Sequence, residues 1–468
     1  MDLGKLRNTG TTRNLPVFIG VLTVALMIGG VIIALIGTPA LFPAQASAEA
    51  EQIDGLFSIM LGIGGGLFLM VQGLLLYSVI RFRVPADDNT SDGPTVHGNA
   101  TLELVWTAIP AVIVFFLVIY SYMVWIDIRE PKDNEQVVEV IGARYAWTFN
   151  YDIPETLYAG LTPDQQARVD NAGLVSAPEL HLHADRPARM VMNTQDVIHS
   201  FWVPSMRVKQ DLLPGRTTEV TFTPQITGDD TEVLTVADQD FDVQRYRVVC
   251  TELCGAGHGQ MFSYVNVYEN EEDYLTVMDA LWSPVYDPPA DPVTRGRQIL
   301  ASGAYPCAGC HILQDENIDW NANVGPSLNN SGDNATQRIS GQSAEEYLYR
   351  SIYYPQEYKV PGYAGVYMNV FQPDDPEGAS YMPTSDVYYI VSYLCTRTEN
   401  EESVCDQENL LNLINNDNPD HPVVLEQGNG GEEAADDAAS EDGEEDMQEE
   451  SADDMEAATM DEEADTGA

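Results

Sequence analysis

The stretch Cys250-Thr251-Glu252-Leu253-Cys254-Gly255-Ala256-Gly257-His258-Gly259-Gln260-Met261 gathers two thiols, an imidazole and a thioether into a few turns of chain. Soft sulfur donors with imidazole select copper or zinc over hard cations. Zinc needs four closed ligands and gains little from a thioether, and a disulfide would leave His258 and Met261 without a role. Copper suits the set better, and a second, upstream imidazole would complete it. His199, in Asp196-Val197-Ile198-His199-Ser200-Phe201-Trp202-Val203-Pro204, is that residue; without the sulfur cluster it would read as a core histidine. A second motif, Cys307-Ala308-Gly309-Cys310-His311, has the C-x-x-C-H spacing of covalent c-type haem, with both sulfurs bonded to vinyl groups and His as axial ligand. A redox-active C-x-x-C pair is the other reading, but it does not require the following His.

These motifs sit in a chain of 468 residues, too long for one domain at roughly 150 residues each. Pro16 to Gly37, Gly55 to Ile80 and Leu104 to Ile126 carry no charged residue, and each can cross about 30 Å of hydrocarbon as a helix. Cations set the direction. Lys5, Arg7 and Arg13 precede the first run and Arg81 and Arg83 follow the second, whereas Thr38 to Ile53 has neither Lys nor Arg. The amino terminus and the Arg81 to Glu103 loop are therefore expected in the cytoplasm. Everything after Asp127 lies outside, as in a multi-pass cell-membrane protein with extracytoplasmic C-terminal domains. Residues 1–48 read either as a signal sequence, with Ala46-Ser47-Ala48 as a small-x-small cleavage site, or as a first membrane helix. Residues 52–130 read as a transmembrane helical hairpin.

Beyond the membrane, residues 134–286 hold short, partly alternating runs such as Val137-Val138-Glu139-Val140-Ile141 and Ala188-Arg189-Met190-Val191-Met192, which predict a β-sandwich. Residues 292–400 differ. There Val293 to Ser302, Ser343 to Tyr353 and Thr384 to Leu394 have helical spacing, predicting a small all-α domain around the second motif. Residues 406–468, rich in Asn, Asp, Glu and Ala, are expected to form a disordered acidic tail. Across the chain, 73 acidic and 22 basic side chains give a net charge of -51. That sign excludes nucleic-acid binding through a basic face, and it suits a salt-rich medium or a basic partner. Cys395 and Cys405, in the oxidising compartment, are expected to close a disulfide. His181 and His183 share a predicted strand face and could bind metal, although such pairs are more often packed or solvated.

From about Ala48 to Tyr268 the chain resembles subunit II of cytochrome c oxidase. Gly325-Pro326-Ser327-Leu328 resembles the c-type cytochrome loop that supports the haem His, so a cytochrome c domain follows, fused at the C-terminal side. The resemblance implies a cupredoxin-like fold in which Cys250 and Cys254 bridge the two ions of a dinuclear copper centre, CuA. His199 and His258 would cap one copper each, with Met261 and the Glu252 carbonyl as weak ligands. It further implies that the Glu252 carboxylate reaches magnesium at the contact with subunit I. Glu103, in Thr101-Leu102-Glu103-Leu104-Val105-Trp106-Thr107, would stand at the cytoplasmic mouth of a proton path; its plainer reading is an interfacial charge. In Gly142-Ala143-Arg144-Tyr145-Ala146-Trp147, where electrons would come in, Tyr145 replaces the Trp of many members, with Trp147 beside it. The sixth haem ligand would be Met368, whose position leaves room for a loop across the haem face, or Met382, which precedes Pro383. The implied function is transfer of electrons from cytochrome c, another small donor or the fused haem c through CuA to haem a of subunit I, for oxygen reduction coupled to proton translocation. Subunits I and III would be the partners. Two other classes share parts of this pattern: a copper-free quinol-oxidase subunit II, which lacks the ligand set, and a CuA-containing nitrous-oxide reductase, which would be soluble.

Overall fold

The structure, a computed structural model, describes residues 15–82, 98–228, 231–237, 239–316, 318–374 and 381–425. Lys5, Arg7, Arg13 and Arg83 fall outside these residues, as does the acidic run from 426 onward. Helices α1 (Leu15–Leu41), α2 (Ala48–Arg81) and α3 (Ala100–Arg129) are long and apolar enough to cross a membrane. Helices α1 and α2 meet through glycine: a Cβ on Gly30 would lie 2.1 Å from the Gly66 nitrogen and 2.7 Å from the Gly62 carbonyl. Small residues allow such close backbone approach, and this is how helices associate in lipid, where burial from water supplies no drive.

Between α1 and α2 the chain enters the extramembrane domain. Ala46, fully buried, donates its N–H to the Ser205 carbonyl (2.8 Å) and accepts from Gln225 N (3.0 Å), and Ser47 Oγ donates to the Met206 carbonyl (2.9 Å). The Ala46-Ser47-Ala48 segment is thus built into the sandwich. Two buried carboxylates early in α2 strengthen the joint. Glu49 pairs with Lys132 and accepts from Thr223 N at 2.8 Å. Asp54 accepts both Nε (2.7 Å) and Nη2 (2.8 Å) of Arg207 and is bonded by Gln45 at 2.8 Å. The same guanidinium donates to the carbonyls of Pro43, Pro204 and Ser205 and lies over the Phe42 ring.

Strands β1 (Gln136–Ala143), β2 (Ala146–Tyr151), β3 (Val175–Ala177), β5 (Ala188–Thr194) and β8 (Thr218–Phe222) form one sheet in the order β3-β2-β1-β5-β8. The other has the order β4 (Leu180–His183), β11 (Phe262–Tyr268), β10 (Gln239–Cys250), β6 (His199–Val203), β7 (Val208–Leu212), with β9 (Glu232–Val236) on β10. Alternate residues face inward, and Val138, Val140, Phe149, Met190 and Met192 of the first sheet share one core with Leu180, Leu182, Phe201, Val265 and Val267 of the second. The expectation of strands throughout 134–286 is corrected by three helices, α4 (Glu155–Tyr158), α5 (Pro163–Ala172) and α6 (Glu271–Tyr286). Helix α6 buries Tyr274, Val277, Met278 and Trp282, a 3.6-residue spacing that closes the sandwich at one end.

The C-terminal module holds α7 (Pro292–Ala301), α8 (Ser331–Arg338), α9 (Ala344–Tyr353), α10 (Thr384–Leu394) and α11 (Gln407–Asp417). Helices α7 and α10 cross at Gly296, where a Cβ would meet the Tyr389 carbonyl at 1.9 Å. It is not all-α: directly after His311, β12 (Ile312–Asp315) and β13 (Ile318–Asn321) pair as an antiparallel hairpin that buries Leu313 and Ile318. Nor does ordered structure stop at Asp406. Cys395 and Cys405 are joined in a disulfide, the Asp406 side chain caps α11 by accepting from Glu408 N and Asn409 N at 3.0 Å, and Leu410 and Ile414 are fully buried. The cap and two buried side chains one turn apart offset the chain entropy that composition alone would leave uncompensated.

Replacing Arg207 with Met strands the Asp54 carboxylate and should destabilise the extramembrane domain by about 3–5 kcal/mol. Thermal unfolding in detergent measures this, and Arg207→Met with Asp54→Leu should recover much of the loss; equal stability of the single and double variants would contradict it.

Candidate metal centre

Register brings the soft donors together. Strands β6 and β10 pair antiparallel with Cys250 opposite Phe201 and Val249 opposite Trp202. Thr251 N donates to the Ser200 carbonyl (3.0 Å) and Cys250 N to the Met261 carbonyl (3.1 Å), so three chain segments are pinned by backbone bonds. Cys250 Sγ then lies 3.7 Å from His199 Nδ1, 4.0 Å from Cys254 Sγ and 3.3 Å from the Glu252 carbonyl. Cys254 Sγ lies 3.6 Å from His258 Nδ1 and 3.9 Å from Met261 Sδ. Among the described residues, His199, Cys250 and Cys254 are the group of three His, Cys or carboxylate side chains close enough to share an ion, and all three are buried. Thiol, thioether and imidazole together form a donor set that suits copper.

The Cys254 hydrogen bond lowers the Cys250 thiol, with burial opposing and His199 assisting, while the same contact and burial raise Cys254, so the pair shares one proton. Metal binding would displace the proton held between them. His199 turns Nε2 to Asp196 Oδ1 at 2.8 Å, which leaves Nδ1 facing the sulfurs. Burial opposes ionisation of Asp196, but hydrogen bonds from His199, from the Arg144 and Val197 N–H groups and from the Arg144 side chain outweigh it and hold the carboxyl at about 2. This carboxylate was not singled out from sequence; its spacing three residues before the His was the available signal. The Trp147 ring stands edge-on to His199, with centroids 6.2 Å apart.

The second motif lines an open cleft with walls that include Leu300, Ile352, Val360, Ile390 and Leu394. Cys307, Cys310 and His311 all face it. His311 Nδ1–H donates to the Pro326 carbonyl at 2.7 Å, freeing Nε2. Gly325 has no room for a side chain, since a Cβ would lie 2.9 Å from His311 Cε1. Burial pushes the thiols up, Cys307 to about 12 and Cys310 to about 11. Met368 lines this cleft. Met382 does not; it is 1% exposed in the helical core, and its carbonyl accepts from Tyr353 OH.

Tyr145 lies between the two motifs. A Cβ on Gly255 or Gly257 would lie 2.4 Å from the Tyr145 ring system, and one on Gly309 2.4 Å from Tyr145 N. Of the other predicted residues, Glu252 is exposed and belongs to no group of three or more His, Cys or carboxylate side chains close enough to share an ion among the described residues. Glu103 joins the amino-terminal cap of α3, accepting from Asn99 N at 3.0 Å while the Asn99 side chain accepts from Leu102 N. His181 is buried and bonded to Tyr268 OH at 2.8 Å.

A two-sheet domain with a Cys-His-Met loop at one end, carried by apolar helices, defines a cupredoxin-like metal domain on a membrane anchor. The chain matches the family models for the cytochrome c oxidase subunit II transmembrane domain over residues 32–124 and for its periplasmic domain over residues 136–267. Cytochrome c oxidase subunit 2 of Synechocystis sp. is 36% identical over 284 residues, covering 50% of this chain and 75% of that protein. Cytochrome c oxidase subunit 2 of Thermostichus vulcanus is 35% identical over 266 residues, covering 50% and 76%. The solved periplasmic domain of subunit II of cytochrome oxidase (CoxB) of Bradyrhizobium japonicum is 20% identical, covering 33% of this chain and 98% of that one at a TM-score of 0.24. The chain belongs to the cytochrome c oxidase subunit II family, whose members are subunits of an electron-transport enzyme complex. It is a multi-pass membrane protein with an extracytoplasmic domain that carries a His/Cys/Met cluster of the copper-binding kind.

Asp196→Ala removes the partner that orients His199, and copper retention should fall about 10–100-fold in chelator competition. Unchanged retention in a folded variant would contradict a role for Asp196.

Proposed function

We propose that this chain receives electrons for a respiratory haem-copper oxidase through two redox groups of its own. Cys250 and Cys254 would bridge a dinuclear copper centre, His199 and His258 would cap it, and Met261 and the Glu252 carbonyl would be its weak ligands. Cys307 and Cys310 would hold haem c covalently, with His311 and Met368 as its axial ligands. When bound, these groups supply one-electron carriers between a small external donor, such as a cytochrome c, and haem a of subunit I, where oxygen chemistry coupled to proton translocation would take place.

The observation that carries this reading is Tyr145, whose ring abuts Gly255 and Gly257 of the sulfur loop and whose backbone abuts Gly309 inside C-x-x-C-H. A residue in contact with both motifs keeps them at close range without a mobile carrier. The Thr148 hydroxyl, which donates to the Gly303 carbonyl at 2.7 Å in a buried setting, supports the same contact. Trp147, 3% exposed, fills the space behind His199 and keeps water from it. Met368 is preferred to Met382 because it alone of the two lines the cleft. Glu252, exposed at the loop surface, could offer its carboxylate to magnesium against subunit I, and α2 and α3 would pack on that subunit, with subunit III nearby. The buried Ala46 and its backbone bonds support retention of α1 as a third span, because the sandwich uses residues that cleavage after Ala48 would remove.

Purified chain should contain two copper ions and one covalently bound haem iron, with a near-infrared band from the sulfur-bridged pair. Cys250→Ser should abolish that band and leave the haem spectrum intact. A copper-free chain would instead support the quinol-oxidase type. Intact mass spectrometry should find residues 1–48 still attached, and a mature amino terminus at residue 49 would overturn retention.

A further inference from the structure

The turn between β1 and β2 reaches the C-terminal module through Arg144 as well as Tyr145. Arg144 donates from its backbone N (2.9 Å) and from Nε (3.1 Å) to one oxygen of Asp196, which fixes the inner part of the side chain. Asp196, with its side chain 10% exposed, is itself held by His199 and by Val197 N at 2.7 Å. From this anchor the guanidinium carbon lies 6.0 Å from the centre of the Tyr367 ring. Tyr367 and Met368 both line the cleft beside His311. The turns before them end at Val366, whose N donates to the Tyr363 carbonyl at 3.0 Å, and backbone bonding resumes at Gln372, whose carbonyl accepts from Met382 N at 3.1 Å. Among the described residues, Tyr367, Met368, Asn369 and Val370 make no hydrogen bond. This short strap is held at its far end by Phe371, which is 5% exposed with its ring 5.6 Å from that of Tyr305. At its near end it meets Arg144.

We propose that Arg144 is a positioning residue for Met368: its guanidinium, fixed on Asp196, lies against Tyr367 and holds the strap across the cleft. The inference rests on the assignment of Met368 as axial ligand and adds the residue of the sandwich that keeps it in place. A guanidinium can donate in its plane to a carboxylate while its face meets an aromatic ring, whereas an ammonium is a point charge that serves one partner well. Tyr367 is 58% exposed, so the contact is of the exposed kind and biases the strap about 2–5-fold toward the held position. One side of the C-terminal module is thus completed by the sandwich. Such coupling is reciprocal, so whatever steadies Asp196 beside His199 also steadies the strap that carries Met368.

The test titrates the full chain, matured with covalent haem, with imidazole, which replaces a thioether ligand only when the strap has moved off, so its apparent affinity follows the open fraction. Arg144→Gln and Tyr367→Leu should each raise that affinity about 2–5-fold. The double variant should raise it no further than either alone, as two partners in one contact require. Tyr367→Phe, which keeps the ring, should retain the original affinity, and so should Arg350→Gln, which removes a guanidinium from Tyr354 in the same module. Chymotryptic cleavage between Tyr363 and Phe371 should quicken in Arg144→Gln with or without haem, because cleavage reports local opening. Should Arg144→Gln fail to fold, Tyr367→Leu against Tyr367→Phe carries the test. Unchanged affinity and cleavage in folded variants, or single effects that multiply in the double variant, would overturn this proposal alone. A chain without covalent haem, or a Met368→Ala variant that binds imidazole no more tightly, would instead overturn the axial assignment, and the cleavage rates would then decide whether Arg144 holds the strap.

Discussion

Antiparallel pairing of β6 with β10 is the constraint on which the metal cluster depends. Cys250 sits at the last position of β10 and His199 at the first of β6, so the pairing that sets Cys250 against Phe201 leaves His199 Nδ1 3.7 Å from the sulfur. Side chains alternate along a strand, and a slip of one residue would turn the imidazole to the other face. The opposite sheet enforces the same choice. Gly142 of β1 leaves room for the His199 ring, since a Cβ there would lie 3.2 Å from both the ring and Leu212. Asp196 then locks the imidazole by its other nitrogen, and Arg144 holds Asp196 through both backbone and side chain. Strand pairing and the Asp196 contact thus fix the imidazole of His199 toward the Cys250 sulfur.

A second constraint links this domain to the membrane. Burying a carboxylate is unfavourable unless it is fully satisfied. Asp54 meets that condition with three hydrogen bonds, two of them from Arg207. Arg207 follows the short turn after β6, the strand that begins with His199. A tether between α2 and that turn acts two short segments from a predicted ligand, so the anchor restrains the metal loop as well as the domain. Together with Glu49, Lys132 and the Ala46 segment, it leaves the sandwich little freedom to tilt on α2.

Much of this was legible in sequence where the signal is local. The three uncharged runs became α1, α2 and α3, Thr384 to Leu394 became α10, and the donors of the first motif lie within one loop and one neighbouring strand. Other features depend on tertiary context. Helix α6 carried a helical pattern in Tyr274, Val277, Met278 and Trp282, but Pro284 and the β-rich stretch before it obscured that pattern. Helix α11 buries only Leu410 and Ile414 and is held by contacts from elsewhere, such as Gln407 with Ser392 and Asn409 with Glu345. Arg207 and Asp54 are 153 residues apart, and no spacing rule joins them. Chain position favoured Met368 over Met382 by leaving room for a loop, but which of the two side chains faces the cleft depends on helices that only the fold assembles.

Tyr145 brings these threads together. Three glycines, two between Cys254 and His258 and one between Cys307 and Cys310, touch the same residue, and at each a Cβ would fall inside van der Waals contact. Absence of side chains on both motifs thus sets how near the two loops come. Electron tunnelling weakens steeply with distance, so a spacing defined by backbone-to-ring contact is more reproducible than one defined by long, rotatable side chains. On the proposed assignment a tyrosine in this place need not itself change oxidation state; a close-packed medium is sufficient. The same contact covers Tyr145 with the chain's own C-x-x-C-H turn, so on the proposed assignment the residue that resembles a receiving point for an external donor instead faces an internal one, and a separate donor would meet the C-terminal module first.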